Sequence, residues 1–230
     1  MSTTNLKTRH IACVAMAFAL CGAHLSVRAS DKSDAAELVS QSRDTFRSLV
    51  SDHDFVSMKS ALAQAKGVLI FPQVVKAGFI LGGAGGTGVL LARDGDAGAW
   101  AGPAFYTRGS ASLGLQAGAV SAEMVMLVNS QKALDSLRKN KIKLGADASV
   151  ALGSMGVDKD KVLNTDFVVY SRVKGAFAGV AVDGSVLDVR ENLNAAYYGR
   201  AATPDDILFK RSVSNPDAVV LQNAVADATK

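Results

Sequence analysis

Between Gly67 and Val128 the chain is written in short apolar runs: "GVLIF", "AGFIL", "GVLLA", "GLQAGA" and "EMVMLV". The runs are separated by Gly, Pro and Asp turns and fall short of the roughly 10–12 residues a helix needs, so the region predicts antiparallel hairpins in a β sandwich or barrel-like sheet system. The densest glycine segment lies among these runs, "FILGGAGGTGVLLARD" from Phe79 to Asp94. Gly83-Ala84-Gly85-Gly86-Thr87-Gly88 fits the G-x-G-x-x-G pattern of dinucleotide sites. That pattern needs a helix after it, because the pyrophosphate rests on the helix N-terminus. Here Val89-Leu90-Leu91-Ala92 follows and closes on Asp94-Gly95, a second strand and a tight turn. A P-loop is also excluded, since no Lys-Ser or Lys-Thr follows the glycines. The glycines are expected to turn and thread strands, where sharp bends and close backbone approach require them.

Helices flank this region. Leu38, Val39, Phe46, Leu49 and Val50 recur at helical spacing, and Phe55, Met58 and Leu62 continue the pattern beyond Asp52-His53-Asp54, whose aspartates suit caps between two helices. The polar face mixes Asp34, Glu37, Arg43, Asp44 and Arg47, which suits packing on a core better than a polybasic membrane surface. Asn129-Ser130 caps a middle helix, Gln131 to Arg138. "KIKLGADASVALG" resumes strand character, and Phe167 to Val189 reads as three short strands with an Asp183-Gly184 turn. Glu191 to Tyr198 reads as a helix closed by Gly199, and Thr203-Pro204-Asp205-Asp206 and Asn215-Pro216-Asp217 are two further helix starts. The fold class is thus α+β, one sheet system with N-terminal, middle and C-terminal helices, in a single domain over residues 30–230.

Residues 1–29 read as a secretory signal peptide: Lys7 and Arg9 precede the apolar run Ile11 to Cys21, and Val27-Arg28-Ala29 offers small residues at a cleavage site before Ser30. The expected location is the periplasm. A lipoprotein anchored at Cys21 is the alternative, against which Phe18-Ala19-Leu20 is a poor flank. Three of the 25 basic residues and none of the 21 acidic ones fall in this leader, so the rest is close to neutral and does not advertise nucleic-acid binding. Both cysteines leave with it, and with them any disulfide or thiol site.

Little remains for catalysis. His53 is the sole imidazole beyond the leader, which excludes Ser-His-Asp and Cys-His systems, and no G-x-S-x-G elbow occurs. Asp52-His53-Asp54 lacks the convergent ligands of a metal site. No catalytic residue, metal or cofactor is assigned. Basic residues say more. "LRKNKIK" holds Arg138, Lys139, Lys141 and Lys143 without an acid, and on a strand the last two share a face; a headgroup contact and a solvated loop are both open readings. Lys76, Arg172 and Lys174 sit in two similar stretches, Val75-Lys76-Ala77-Gly78-Phe79 and Val173-Lys174-Gly175-Ala176-Phe177. "AWAGPAFYTRG" places Trp100, Phe105 and Tyr106 near Arg108, which suits a membrane interface or a small amphiphile pocket, and core packing explains the aromatics equally well.

"AKGVLIFPQVVKAGFILGG", "GVLLARDG", "WAGPAFYTRGSASLGLQAGA", "LGADASVALG", "YSRVKGAFAGVAVDGSVL" and "NAAYYG" occur in the order and spacing of the SYLF domain, also called the Ysc84-type domain, a lipid-binding module. The resemblance covers Ala61 to Gly199; the last 30 residues match none of its blocks. It implies a non-enzymatic protein that associates with anionic phospholipid, of the kind phosphoinositide-binding relatives recognise, or with a membrane surface; the leader places that role in the cell envelope. By the resemblance, membrane contact falls to the helix around Leu38 to Val50 and to Lys76, Arg172 and Lys174. Trp100 and Tyr106 complete the candidate lipid-binding set. The alternative is an envelope structural or interaction module with a protein partner.

Overall fold

A computed structural model of the chain describes residues 30–78, 81–93, 98–113, 118–138, 141–153, 164–174, 182 and 184–230. Helix α1 runs over residues 30–50. Its buried side chains, Ala35, Val39, Phe46, Leu49 and Val50, form one stripe at helical spacing. Asp52 stops the run: its carboxylate accepts from the Asp54 backbone N–H at 3.0 Å and caps a single turn, His53–Phe55, before α2 (Ser57–Gln64). The sheet then forms from β1 (Gly67–Gly78), β2 (Leu81–Arg93), β3 (Trp100–Leu113) and β4 (Gly118–Val128). After α3 (Gln131–Leu137) come β5 (Lys141–Lys143), β6 (Val150–Leu152), β7 (Phe167–Lys174) and β8 (Val186–Val189), then α4 (Glu191–Tyr198), a π turn (Asp205–Phe209) and α5 (Val219–Asp227).

All eight strands belong to one curled sheet, a half-barrel, in the order β5-β8-β3-β2-β1-β4-β7-β6. Every pairing is antiparallel except β6 beside β7. Of the two sheet forms expected, the barrel-like one holds; there is no second sheet among the described residues to make a sandwich, because both faces are covered by other elements. Val68, Ile70, Val89, Leu91, Phe105, Val125, Leu127, Val168 and Tyr170 face α1, α2, α4 and α5. The alternate residues, among them Leu69, Phe71, Leu90, Tyr106, Met126 and Val169, face α3 and the π turn. A sheet buried on both sides needs apolar residues at every position, which is why its strands read as unbroken runs rather than as alternation.

β1 continues straight through Pro72, with a register shift between Phe71 and Val74 against β4 and between Ile70 and Val75 against β2. Proline, which cannot donate to the ladder, sits at that bulge. The bulge pushes β1 onto β2, and the glycines receive it. A Cβ on Gly88 would lie 2.6 Å from the Phe71 ring and closer still to the Ile70 carbonyl oxygen; one on Gly86 would collide with the Gln73 carbonyl. The glycine stretch therefore threads, as expected, but it does not turn: residues 82–88 are mid-strand, paired with β3 throughout and with β1 over 82–85, and the reversal falls between Gly78 and Leu81. The Asp94-Gly95 turn and the third strand expected before Val189 lie outside the described residues.

The helix signals hold. Ser130 Oγ accepts from the Ala133 N–H at 3.0 Å, Gly199 closes α4 at φ 72°, and the Asn215 side chain accepts from the Asp217 N–H at 2.9 Å. Thr203 and Asp206 cap one another through three hydrogen bonds, though what they open is one π turn rather than a full helix.

Candidate functional site

The two ends of this sheet differ in chemistry. At the lower end, near Gly67, Arg93, Trp100, Val128 and Phe167, large apolar side chains pack on both faces. At the upper end the strands run on with almost no side chains: Gly82 to Gly85 of β2 pair with Val75 to Gly78 of β1 and with Gly109 to Ser112 of β3.

One register row crosses seven strands at this upper end: Lys143, Val186, Gly109, Gly85, Val75, Ser121 and Lys174. At ~4.8 Å per strand it spans roughly 30 Å along the sheet. It contains no acid, its centre is small or apolar, and it ends in a lysine on each side. Val75 is 43 % exposed, and Gly85, Gly109 and Lys143 are exposed as well. The row beneath carries charge but cancels it within itself. Lys141 pairs with Asp188 at 3.3 Å, and Arg172 with Glu123 at 2.5 Å. Lys76 is exposed and lies one residue on from Val75, hence on the opposite face.

The structure thus brings part of the candidate set together. Lys76 and Lys174 share the upper end, and Lys143 of the "LRKNKIK" cluster joins them. Arg172 has another occupation. Its guanidinium donates to Glu123, to Asp52 at 3.0 Å and to Ser48 Oγ at 2.7 Å, fastening the end of α1 and the turn after it to β4 and β7. The hydrogen bond to Glu123 raises the Arg172 pKa, and the Asp54 backbone N–H, with Arg172 behind it, holds Asp52 below the usual carboxylate range. Tyr106 is inside the core on the α3 face, where its hydroxyl donates to the Leu137 carbonyl at 2.5 Å and burial raises its pKa above the ordinary phenol value. Arg108 is buried on the same face, donating to Ser185 Oγ at 2.7 Å, and burial brings its pKa down to about 10. The apolar stripe of α1 is spent on the protein's own core, so that face is not offered to a membrane in this fold.

Trp100 stands at the other end, roughly 30 Å from Gly109 at ~3.3 Å per residue along β3. It walls a cavity of about 400 Å³ formed with Ile207, Arg211, Val213, Val219 and Gln222. Most of these belong to the C-terminal stretch, in which sequence reasoning marked helix starts but no site. Among the described residues no group of three or more His, Cys, Asp or Glu could hold a metal ion.

Comparison with known families decides the ancestry. The Ysc84 model, described as a Las17-binding protein actin regulator, matches residues 109–228, just over half of the chain. The chain belongs to the Ysc84 family. The match runs past Gly199, so all but the last two of the final 30 residues lie inside the Ysc84 span, and the block resemblance stopped short of it. An SH3 domain-containing protein of Schizosaccharomyces pombe is 35% identical over 175 residues, covering 73% of this chain and 38% of that protein. LAS seventeen-binding protein 3 of Saccharomyces cerevisiae is 34% identical over 173 residues, 72% of this chain and 37% of the relative. The human SH3 domain-containing YSC84-like protein 1 is 32% identical over 153 residues, 64% and 44% of the two chains. The chain therefore spans about two fifths of the length of these Ysc84 relatives. No solved structure matches it.

Proposed function

We propose that this protein binds anionic lipid surfaces in the cell envelope, as a binding module rather than an enzyme, with the upper end of the sheet as its contact. The observation that carries the reading is the seven-strand row: an acid-free, side-chain-poor strip with exposed Val75 next to its centre and Lys143 and Lys174 at its ends, Lys76 standing at the same end on the opposite face. Such a strip lies flat against headgroups, the lysines reaching phosphates while Val75 meets the acyl boundary. Glycines serve this contact because they keep the surface low. The leader-like residues 1–29 would deliver the protein to the periplasm. No helix among the described residues is long and apolar enough to cross a membrane. A protein partner is the second reading, favoured by the name LAS seventeen-binding protein that relatives carry.

Vesicle co-sedimentation tests the first reading, comparing anionic with zwitterionic lipid at low and high salt. Each lysine near an anionic surface contributes about 1 kcal/mol, so Lys143→Gln together with Lys174→Gln should weaken binding about 30-fold. Binding that ignores lipid charge and salt, or that survives the double change, would sink it.

A further inference from the structure

One step below the strip, on the same face of the sheet, runs a polar row: Lys141, Asp188, Thr107 and Thr87 from one edge, Arg172 and Glu123 from the other. Thr87 and Thr107 lie two residues from Val89 and Phe105, which places the row on the α1 side. Its two ends are closed ion pairs, Lys141 with Asp188 at 3.3 Å and Arg172 with Glu123 and, at 3.0 Å, with Asp52. Its middle is different. Arg190 is rooted one row lower, where its N–H donates to the Phe105 carbonyl at 2.9 Å, and its half-buried side chain rises across β3 toward β2. There the guanidinium meets two neutral oxygens at long range: Nη1 donates to Thr87 Oγ1 at 3.5 Å and Nε to Asn192 Oδ1 at 3.3 Å. The acids next to it in the chain are otherwise engaged or turned to solvent. Asp188 pairs with Lys141 and accepts from the Val189 N–H at 3.0 Å, and Glu191 is exposed in the first turn of α4. A guanidinium presents several donors in a fixed fork, and long bonds to neutral oxygens leave most of that capacity for an oxyanion.

The ground under Arg190 suits such a ligand. Thr107 and Thr87 are register partners, both half-buried. The Thr107 hydroxyl donates to the Gly86 carbonyl at 3.2 Å, while the Thr87 hydroxyl accepts from Arg190 and keeps its proton to give. The next residues up on this face are Gly109 and Gly85, both exposed. A Cβ on Gly109 would meet nothing within 4 Å, so the space above Thr107 is open. Glycine at both positions lets a ligand come down onto the sheet as far as the hydroxyl and the guanidinium.

We infer that Arg190 and Thr87 hold one phosphate-type oxyanion, carried by a lipid headgroup or by a free phosphate ester, seated over Gly85 and Gly109. The site deepens the lipid reading, on which it rests only for the source of the phosphate. Lysines of the strip act as point charges along a surface, whereas an arginine fork selects a phosphate and orients it.

The full chain, labelled with ¹⁵N, is titrated with sodium phosphate and with glycerol 3-phosphate, against sodium chloride at matched ionic strength. Saturable shifts of the Gly85, Thr87 and Gly109 amides with both phosphates, absent with chloride, are expected. Arg190→Gln should weaken binding about tenfold, the size of one hydrogen bond to a charged group. Arg190→Lys keeps the charge without the fork and should stay weaker than the parent. Gly109→Val should also weaken binding about tenfold, by filling the space above Thr107. Its Cβ has room and a β-branched residue suits a strand, so it tests the site even where Arg190→Gln fails to fold. No saturable shift with either phosphate, an equal response to chloride, or indifference to both Arg190→Gln and Gly109→Val overturns the inference. Lys143→Gln with Lys174→Gln should leave the titration unaltered; an equal loss there would put the anion on the strip and overturn it too. Vesicles of phosphatidate in phosphatidylcholine then tell the source: co-sedimentation weakened by Arg190→Gln assigns a headgroup, and co-sedimentation indifferent to it assigns a free phosphate ester. Vesicle binding without saturable phosphate shifts refutes this site alone, and saturable shifts without vesicle binding refute the membrane reading alone.

Discussion

Replacing Gly88 by alanine tests the account of the glycine segment at its sharpest point. The added Cβ would stand 2.6 Å from a carbon of the Phe71 ring and closer to the Ile70 carbonyl oxygen. Ordinary contact begins near 3.4 Å, and the obstructing carbonyl is backbone locked into pairing with β2 and β4, so a rotamer change cannot relieve it. β1 must move at its bulge. Overpacking that forces a backbone shift costs up to about 3 kcal/mol, occasionally more. Gly109, on the neighbouring strand at the upper end, is the matched control, because a Cβ there meets nothing within 4 Å. Gly109→Ala should be neutral or stabilise by about 0.5 kcal/mol through the lost freedom of the unfolded chain. Urea unfolding followed by circular dichroism separates the two. With a slope of about 2–3 kcal/mol/M, Gly88→Ala lowers the midpoint by about 1 M or more while Gly109→Ala leaves it in place. Equal midpoints would refute the argument that close approach of β1 selects these glycines.

Arg172→Ala should destabilise by about 2 kcal/mol, less than a fully buried pair would cost because the arginine side chain is 36 % exposed and partly screened. In thermal unfolding that is about 5 °C, and hydrogen exchange should show the last turn of α1 opening first. Acid should act through Asp166. Burial pushes its carboxyl up, but hydrogen bonds from Ser130 and Ser149 outweigh that and leave the pKa below its ordinary value. The stabilisation is therefore present above the unfolded-state pKa of about 3.9 and is lost as pH falls through the lower folded value. Asp166→Asn should be less stable than the parent at pH 7, and the gap in Tm should close as the pH is taken below 4.

Much of the fold was legible because its signals are local. Ser130, Gly199 and Asn215 each announce a helix end by a bond or a φ that neighbouring residues satisfy, and the unbroken apolar runs announce strands buried on both faces. What was not legible depends on strand order. Lys143 and Lys174 are 31 positions apart in the sequence, yet they end one row because β8 pairs with β3 on one side and β5 on the other. Arg172 looked like Lys174, two residues away on the same face, until its neighbours across the sheet and from α1 were known. Tyr106 and Trp100 lie on one strand and on opposite faces, so their shared stretch of sequence does not make a shared site. Arg211 gave no signal at all, since a left-handed arginine and the cavity it borders exist only once α5 has docked.

The bulge at Pro72 is where these strands change character. Below it β1 and its neighbours carry large side chains on both faces and are covered by helices and turns, so burial of that half supplies the stability. Above it the same four long strands extend ladders already begun in the core; the small residues there have little side-chain entropy to lose, while each glycine costs more backbone entropy than another residue would. Apart from small contacts such as Ala84 and Val173 against the core, the upper half is held by ladder hydrogen bonds, and most of its side chains are released from packing duty. Glycine, alanine and serine leave a low surface on which a few lysines and Val75 decide what is met. The collision at Gly86 and Gly88 follows from the same geometry: the extra residue that lets β1 pass from one regime to the other must be absorbed by the strand beside it, and only glycine absorbs it without moving the sheet.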